Sequence, residues 1–537
     1  MELGDSLLEQ DFFNVPKTKR SIHELAEVES LVLFLGAGLS ASAGLPGWNQ
    51  LLRNLLGKAA SAHRALGDED AREEFIQTLL RTTDPTILGS IIRGLYRGPE
   101  AFVDAMQKAI YSDDVRRGPR PASNFSRAVW ELIFTRRERG LETLIVTTNY
   151  DNVLETSLET DLSLRSLAQS LGISFAVPIH SEAQYAARGD DSETEVLVYH
   201  IHGYIPVDTG VKVEATDIVL SAHDYGRNWQ SHWSYDLLAS RWRSPWLFVG
   251  MSFHDPHISF FLRARHERLG ADAGAVDATC PPRGVFSLQG QPWARLSEKA
   301  RLGLARAEIV RLQELGMKPL PTLYFFQDAQ FLREVALRTR VGPDDYVSYV
   351  DRRASWAEVF SEARLSMDGA IQADGLLEDI HSCLLNLRRR VESLSSDEEE
   401  MFKVELWCRD PADRCLFQIG SSEYVTGSPD RSRRHDLSTD LPIAAVHALT
   451  AGTSINSNVP ISAASRWHHY LAVPVFLSEP PWFDLPVGAL VIASSAPEAA
   501  STLHTQHADI ESHFEDWVQG VIPFLDPLYE DDVSLTQ

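Results

Sequence analysis

The chain has 537 residues, 44% of them hydrophobic and 9% aromatic, too long for one ordinary core and too apolar for a disordered polymer, so two or three packed domains are expected. Its 75 acidic against 50 basic residues leave a formal charge of −25, which argues against general electrostatic binding to nucleic acid. No run approaches the roughly 18 apolar residues of a membrane helix. The polar Met1–Arg20 segment lacks the apolar centre of a signal peptide, and the four cysteines (Cys280, Cys383, Cys408, Cys415) include no Cys-x-x-Cys pair. The expectation is a cytosolic protein with reduced thiols and no metal or membrane partner.

From Leu31 to about Arg340, short apolar runs alternate with helical stretches. The strand candidates are Leu31–Leu35, Leu144–Thr148, Val196–Ile201, Ile218–Leu220, Trp246–Gly250, Val285–Leu288 and Thr322–Phe326. They show little polar alternation, as strands buried on both faces of a parallel sheet do. The fold class expected is therefore α/β, a Rossmann-like parallel sheet. Residues of about 49–140 are mainly helical and too long for a simple crossover, so they read as an inserted helical module. Ala329–Thr339 reads as a closing helix, which makes 20–345 one domain.

Residues 346–372 lack strong patterning and are expected to link. The helix Leu376–Leu394 follows, with Leu376, Ile380, Leu384, Leu387 and Val391 on one face. The acidic run Asp397–Glu400 ends it. Strands at Phe402–Cys408, Cys415–Ile419, Tyr470–Leu477 and Val487–Ala493, with helices at Pro442–Leu449 and His507–Phe524, make 373–530 a smaller α+β domain. The basic groups Arg388–Arg390 and Arg431–Arg434 read as solvated helix face or loop.

Four segments of the first domain carry chemistry. Gly36–Pro46 (Gly-Ala-Gly-Leu-Ser-Ala-Ser-Ala-Gly-Leu-Pro) follows an apolar strand and opens into a helix. Such a turn brings backbone N–H groups toward an anion, although Gly-rich turns also serve plain strand-to-helix packing. Leu144–Asp151 places Thr148, Asn149 and Asp151 at a strand end, where they either bond a ligand or cap the next helix. Val198–Tyr204 brings His202, followed by Gly203, to another strand end as a candidate general base. His200, two residues earlier, makes a chelating pair with it, but no nearby carboxylate or cysteine completes a ligand set. Leu247–Ile258 places Gly250, Ser252 and Asp255 at a fourth strand end. Asp255, before Pro256, is also explained as a helix cap, and His254 and His257 read as rim or surface histidines.

In this order the segments resemble the sirtuin family, specifically its sirtuin-like branch in bacterial antiphage defence, over residues of about 20–340. The matching pieces are Gly-Ala-Gly-x-Ser with a later Gly-x-Pro, Thr-x-Asn-x-Asp, His-Gly and Gly-x-Ser. The resemblance implies that Gly36, Ala37, Gly38 and Ser40 cradle the pyrophosphate and ribose of NAD. It implies that Asn149 and Asp151 line the nicotinamide-ribose site, that His202 is the catalytic base, and that Gly250 and Ser252 meet the adenosine half. Two departures matter. Protein-deacylating sirtuins carry Asp-Phe-Arg after Gly-x-Pro, whereas Gly47-Trp48-Asn49 stands here, and no cysteine lies between Gly203 and Gly250 to build a zinc module. The implied activity is therefore hydrolysis of NAD, as substrate, to nicotinamide and an ADP-ribose species, with no metal. Cleavage of that N-glycosidic bond passes through a cationic, oxocarbenium-like ribose. A positioned base is typically worth on the order of 10²–10⁴ in rate.

Arg466–Leu477 and Pro486–Ser494, two strands bracketing a polar turn, resemble a GAF-type sensor domain. Trp467, His468, His469 and Trp482 there line either a pocket or a core. The expectation is a defence effector that depletes NAD when a ligand or phage component engages the C-terminal domain, and that forms a homo-oligomer. An NAD-dependent protein deacylase and a non-catalytic NAD or ADP-ribose sensor are the alternatives.

Overall fold

Apolar hexamers such as Ser-Leu-Val-Leu-Phe-Leu, buried at every position after the first, are stable only inside a covered sheet. A computed structural model describes residues 12–61, 69–111, 122–187, 194–207, 213–227, 233–271, 281–288, 297–370, 376–410, 415–425, 433–437, 443–458, 466–478, 482, 484–506, 510 and 513–526. The chain divides into two units, Met1–Tyr346 and Val347–Gln537.

The first unit is built on a parallel sheet of β1 (Ser30–Leu35), β2 (Glu142–Thr147), β3 (Phe175–Ile179), β4 (Glu195–His200), β5 (Trp246–Val249), β6 (Arg283–Ser287) and β7 (Lys318–Thr322). The order is β3-β4-β2-β1-β5-β6-β7, and every neighbouring pair is parallel. The expected Rossmann-like class is met. One face, with Val32, Phe34, Val146, Tyr199, Phe248 and Phe286, packs against the helical segments carrying Trp233, Leu237, Ile258, Phe261, Ile309 and Leu312. Leu31, Leu33 and Leu35 alternate to the other face. Helix Phe326–Val341 packs on both Pro16–Glu27 and Asn124–Glu138 and is buried from Phe326 to Thr339.

Between β1 and β2 run helices Ala37–Ser42, Trp48–Ser61, Glu69–Thr82, Pro85–Leu95, Pro99–Ile110 and Asn124–Glu138. The middle four share a second core, in which Leu52, Leu55, Ile92, Phe102 and Met106 meet Tyr150, Ile205, Ile218 and Leu220. Tyr150 and Ile205 lie just past the carboxyl ends of β2 and β4, so this module covers the ligand side of the sheet. Polar ties hold it there: Gln107 to the Pro206 carbonyl at 3.0 Å, and Arg93 to Asp224 at 2.7 Å.

Two strand expectations of the first unit change, and one of its strands was not expected. Ile218–Leu220 is extended but joins no sheet; its Val219 carbonyl accepts from the Tyr150 hydroxyl at 2.6 Å. Thr322–Phe326 is displaced, because the strand is Lys318–Thr322 and a helix starts at Phe326. Strand β3 (Phe-Ala-Val-Pro-Ile) has no counterpart among the sequence expectations. Prolines explain both: Pro178, Pro319 and Pro321 sit on the two edge strands, where a missing N–H is tolerated. In β7 the Lys318 N–H bonds the Pro282 carbonyl at 2.7 Å, and the Thr322 carbonyl accepts from Leu288 N–H at 2.8 Å. Residues 318, 320 and 322 thus face β6, and Pro319 and Pro321 face outward. The outward Pro319 carbonyl accepts from Lys17 Nζ at 2.9 Å.

The second unit holds an antiparallel sheet of β8 (Phe402–Arg409), β9 (Cys415–Ser421), β10 (Arg434–Asp436), β11 (Ile455–Asn458), β12 (His469–Leu477) and β13 (Leu485–Ser494). Its order is β10-β9-β8-β13-β12-β11. Helix Leu376–Leu394 lies against β8 and β9. Tyr349–Ala370, within the segment expected to link, is also helical, with Trp356 donating to the Leu525 carbonyl at 3.1 Å. Trp467, His469 and Trp482 are buried. Cys280, Arg431, Pro442 and residues 507–509 and 511–512 of the expected last helix lie outside the described residues, and no helix among those described is long and apolar enough to cross a membrane.

Candidate functional site

Because all seven strands run one way, the polar segments that follow β1, β2, β4 and β5 emerge on one edge of the sheet. These are four adjacent strands. The chain order reverses between β1 and β5, where open α/β sheets bind ligands. At that reversal Gly36 N–H bonds the Val249 carbonyl at 3.1 Å and Gly38 N–H bonds the Gly250 carbonyl at 2.9 Å. A Cβ on Gly36 would stand 2.5 Å from the Gly250 oxygen, and one on Gly38 2.8 Å from the Gly250 Cα. Gly250 itself takes φ +69, the left-handed region that favours glycine. The glycines of this loop are thus required by backbone-to-backbone packing, the plainer reading of a Gly-rich turn. Leu39 N–H also bonds inward, to the Gly36 carbonyl at 3.1 Å, which leaves Ala37 N–H with no partner among the described residues at the start of that helix.

Ser40, Asn149 and Asp151 form one buried cluster, each under a tenth exposed. The Ser40 hydroxyl donates to Asp151 Oδ2 at 2.6 Å and accepts from Asn149 Nδ2 at 2.9 Å. Asn149 Nδ2 also donates to the Gly36 carbonyl at 2.9 Å, so both its amide hydrogens are engaged and Oδ1 remains as an acceptor with no partner among the described residues. Burial pushes the Asp151 carboxyl above its ordinary value, with the Ser40 hydroxyl the strongest opposing influence. Asp151 Oδ1 caps the following helix through Val153 N–H at 3.2 Å, so the residue is both cap and site group.

His202, past the end of β4, is 2% exposed, and its Nε2 has no hydrogen-bond partner. The nearest carboxylate oxygen, Asp255 Oδ2, is 3.7 Å away and already accepts from the Tyr225 hydroxyl at 2.7 Å. Burial pushes the imidazole below its ordinary 6.5, against the pull of Asp255. A neutral ring with an unengaged nitrogen is the form a general base requires. Asp255 Oδ1 meanwhile caps helix Pro256–Ala271 through Ile258 N–H at 3.1 Å. His257 is buried, not at a rim, with its ring 5.3 Å from that of His202. His254 and Ser252 are exposed.

His200, weighed from sequence as a metal ligand, is engaged otherwise. Its Nδ1 lies 3.0 Å from the Asn149 carbonyl and its Nε2 2.7 Å from Glu155 Oε1. Glu155 escaped the sequence reading; its one signal is a place in the first turn of the helix that follows Asp151. Tyr111 was also missed, and its hydroxyl ties Asn152 Oδ1 at 3.0 Å and the Ile205 carbonyl at 2.8 Å. No group of three or more His, Cys, Asp or Glu placed to hold a metal is present among the described residues.

A doubly wound parallel sheet with a polar cluster at its reversal point defines a nucleotide-binding class of architecture. Residues 143–295 match the family model of the SIR2-like domain, a stretch that contains Asn149, Asp151, His202, Gly250 and Ser252 but not the Gly36–Ser40 loop. The chain is also 25% identical over 279 residues to the uncharacterized protein y4cA of Sinorhizobium fredii (strain NBRC 101917 / NGR234), covering 50% of this chain and 21% of that protein. It therefore spans about a fifth of that relative's length. The SIR2-like match supports a general relation to NAD-dependent enzymes.

Proposed function

We propose that the first unit is an NAD⁺ hydrolase, cleaving the N-glycosidic bond to release nicotinamide and an ADP-ribose species. One observation carries this reading. Asn149 Oδ1 and His202 Nε2, at the carboxyl ends of the neighbouring strands β2 and β4, have no partner among the described residues, while the groups around them are tied to the protein. His202 Nε2 is buried, and a buried polar atom left unpaired costs stability, so its retention fits a role toward substrate. Asn149 Oδ1 accepts from a water or a ribose hydroxyl and holds it in place. His202 Nε2 takes the proton released there. Ala37 N–H supplies a donor to the pyrophosphate, and the ionised form of Asp151 is complementary to positive charge developing on the ribose.

The lack of cysteine between Gly203 and Gly250 favours hydrolysis over deacylation of a protein. The second unit, with its antiparallel sheet and flanking helices, is the proposed GAF-like gate, responding to a small ligand or a phage component. The role as an oligomeric defence effector rests on the sequence resemblance. The test is nicotinamide release from NAD⁺ by the full chain, alone and with lysate of phage-infected cells as the source of activator, with no acylated peptide, beside Asn149→Ala and His202→Ala. Release by the parent and a loss of at least 100-fold in both variants is expected. Release only with an acyl-lysine peptide would establish the deacylase, and NAD⁺ binding unaffected by either variant and without turnover would establish a sensor.

A further inference from the structure

The pair His200–Glu155 takes no part in the chemistry proposed above, yet it is built into the floor of the site. His200 is the last residue of β4 and is 1% exposed; Glu155 lies in the first turn of helix Val153–Thr160 and is 4% exposed. A carbonyl only accepts, so the contact to Asn149 O fixes a hydrogen on His200 Nδ1. The Glu155 carboxyl holds the other nitrogen at 2.7 Å, so the ring is clamped at both ends. Resting on the hydrolase reading, we propose that His200 is a positioning residue: its Nδ1–H pins the Asn149 main chain so that Oδ1 stays aimed at substrate, and Glu155, accepting from Nε2–H, holds the ring with a hydrogen on both nitrogens.

Three features support this. Asn149 lies two residues beyond the last β2 residue, where no ladder bond holds its carbonyl, and His200 supplies the missing donor. Glu155 Oε2 is buried without a partner, a costly arrangement unless the carboxylate is needed where it stands. The groups facing His200 are Glu155, Asp151, His180 and Tyr204. Burial disfavours the charged ring, but the Glu155 carboxylate overrides that and holds His200 above its ordinary value. The charge of the ring is thereby countered mainly by Glu155, with Asp151 adding a weaker pull.

The test uses the full chain with His200→Ala, His200→Asn and Glu155→Gln. Asparagine places an amide N–H where Nδ1 stood, and glutamine can pair with Nε2 and leave Nδ1–H in place. His200→Ala should lower kcat about 100-fold, the effect of a displacement of about 1 Å in a catalytic group, with KM within about threefold. His200→Asn should recover at least tenfold of that loss, and Glu155→Gln should stay within about tenfold of the parent. Independently of turnover, amide exchange followed by mass spectrometry should quicken in His200→Ala only in peptides spanning 147–155, and revert in His200→Asn. Equal kcat losses in the alanine and asparagine variants, a loss in KM alone, or exchange that quickens throughout the unit would each overturn the proposal. A parent that never releases nicotinamide refutes the hydrolase reading instead, and the localised exchange then decides whether the pin exists.

Discussion

Ser40→Ala tests the buried cluster most directly, because one hydroxyl serves two partners. It has a single hydrogen, and Asp151 Oδ2 at 2.6 Å can only accept it when ionised, so the Asn149 amide at 2.9 Å must donate to Ser40. Alanine removes a hydrogen bond to a charged acceptor, worth about 1.5–3 kcal/mol, while Asn149 keeps its bond to the Gly36 carbonyl. The first unit should lose about 2–3 kcal/mol in urea unfolding followed by tryptophan fluorescence. The pH dependence has a fixed sign. Burial already raises the Asp151 carboxyl and Ser40 opposes it, so alanine raises it further. A raised acid is destabilising as pH climbs through its folded value, hence the deficit of Ser40→Ala should grow toward neutral pH and fade in acid. Adding Asp151→Asn removes the uncompensated charge, and the double variant should be less destabilised than the sum of the singles by about 1–2 kcal/mol. Nicotinamide release should not return with it. A cost below about 0.5 kcal/mol, or strict additivity, would refute the cluster as described.

Further outcomes follow from other groups. Asp328, fully buried at the start of helix Phe326–Val341, is pushed by burial from 3.8 up to about 7, against the Thr322 hydroxyl at 2.7 Å. The gap corresponds to about 4 kcal/mol of destabilisation at alkaline pH. Asp328→Asn should recover about 2–3 kcal/mol of it at pH 9, the remainder being the cost of an unpaired amide, and nothing below pH 4; equal melting shifts at both pH values would exclude a buried titrating acid. His202 is held neutral by burial, so the acid limb of kcat/KM should fall below pH 6.5, and a limb at or above 7 would remove His202 as the base. Gly250→Ala forces a left-handed alanine, costing about 1–2 kcal/mol, and places its Cβ 3.1 Å from Phe125 and 3.2 Å from the Gly38 Cα. It should lower the melting temperature and nicotinamide release together, and retention of both would show that the loops separate without penalty.

Much of the first unit was legible because its central strands are uninterrupted apolar runs, a signal that survives without any contact information. Leu31–Leu35, Trp246–Gly250 and the others near them match the structure within a residue or two. The edges were not legible, since Pro178, Pro319 and Pro321 look like turn punctuation when the edge position is unknown. Ile218–Leu220 misled in the opposite sense: its apolar side chains serve the core of the helical module, not a sheet. In the site, Asn149, Asp151 and His202 stood out through motif order at strand ends. Glu155 did not, because a glutamate in the first turn of a helix has an ordinary electrostatic explanation. Its burial against His200 exists only once β4 lies beside β2. The role of Gly36 and Gly38 was open for a similar reason, as only the return of the chain at Gly250 reveals what fills the space beside them.

The prolines of β7 have a consequence for how copies of this protein behave when crowded. An exposed strand with free N–H groups is a template on which another chain can add itself and aggregate. On β7 the outward positions Pro319 and Pro321 offer no donor, and the Pro319 carbonyl is already taken by Lys17. Sheet growth from that side has nothing to build on. The opposite edge, β3, is protected by Pro178 alone and leaves Phe175 half exposed. Any sheet-extended aggregate of the first unit should therefore start at β3, and the cheapest remedy for poor solubility is a lysine at position 175.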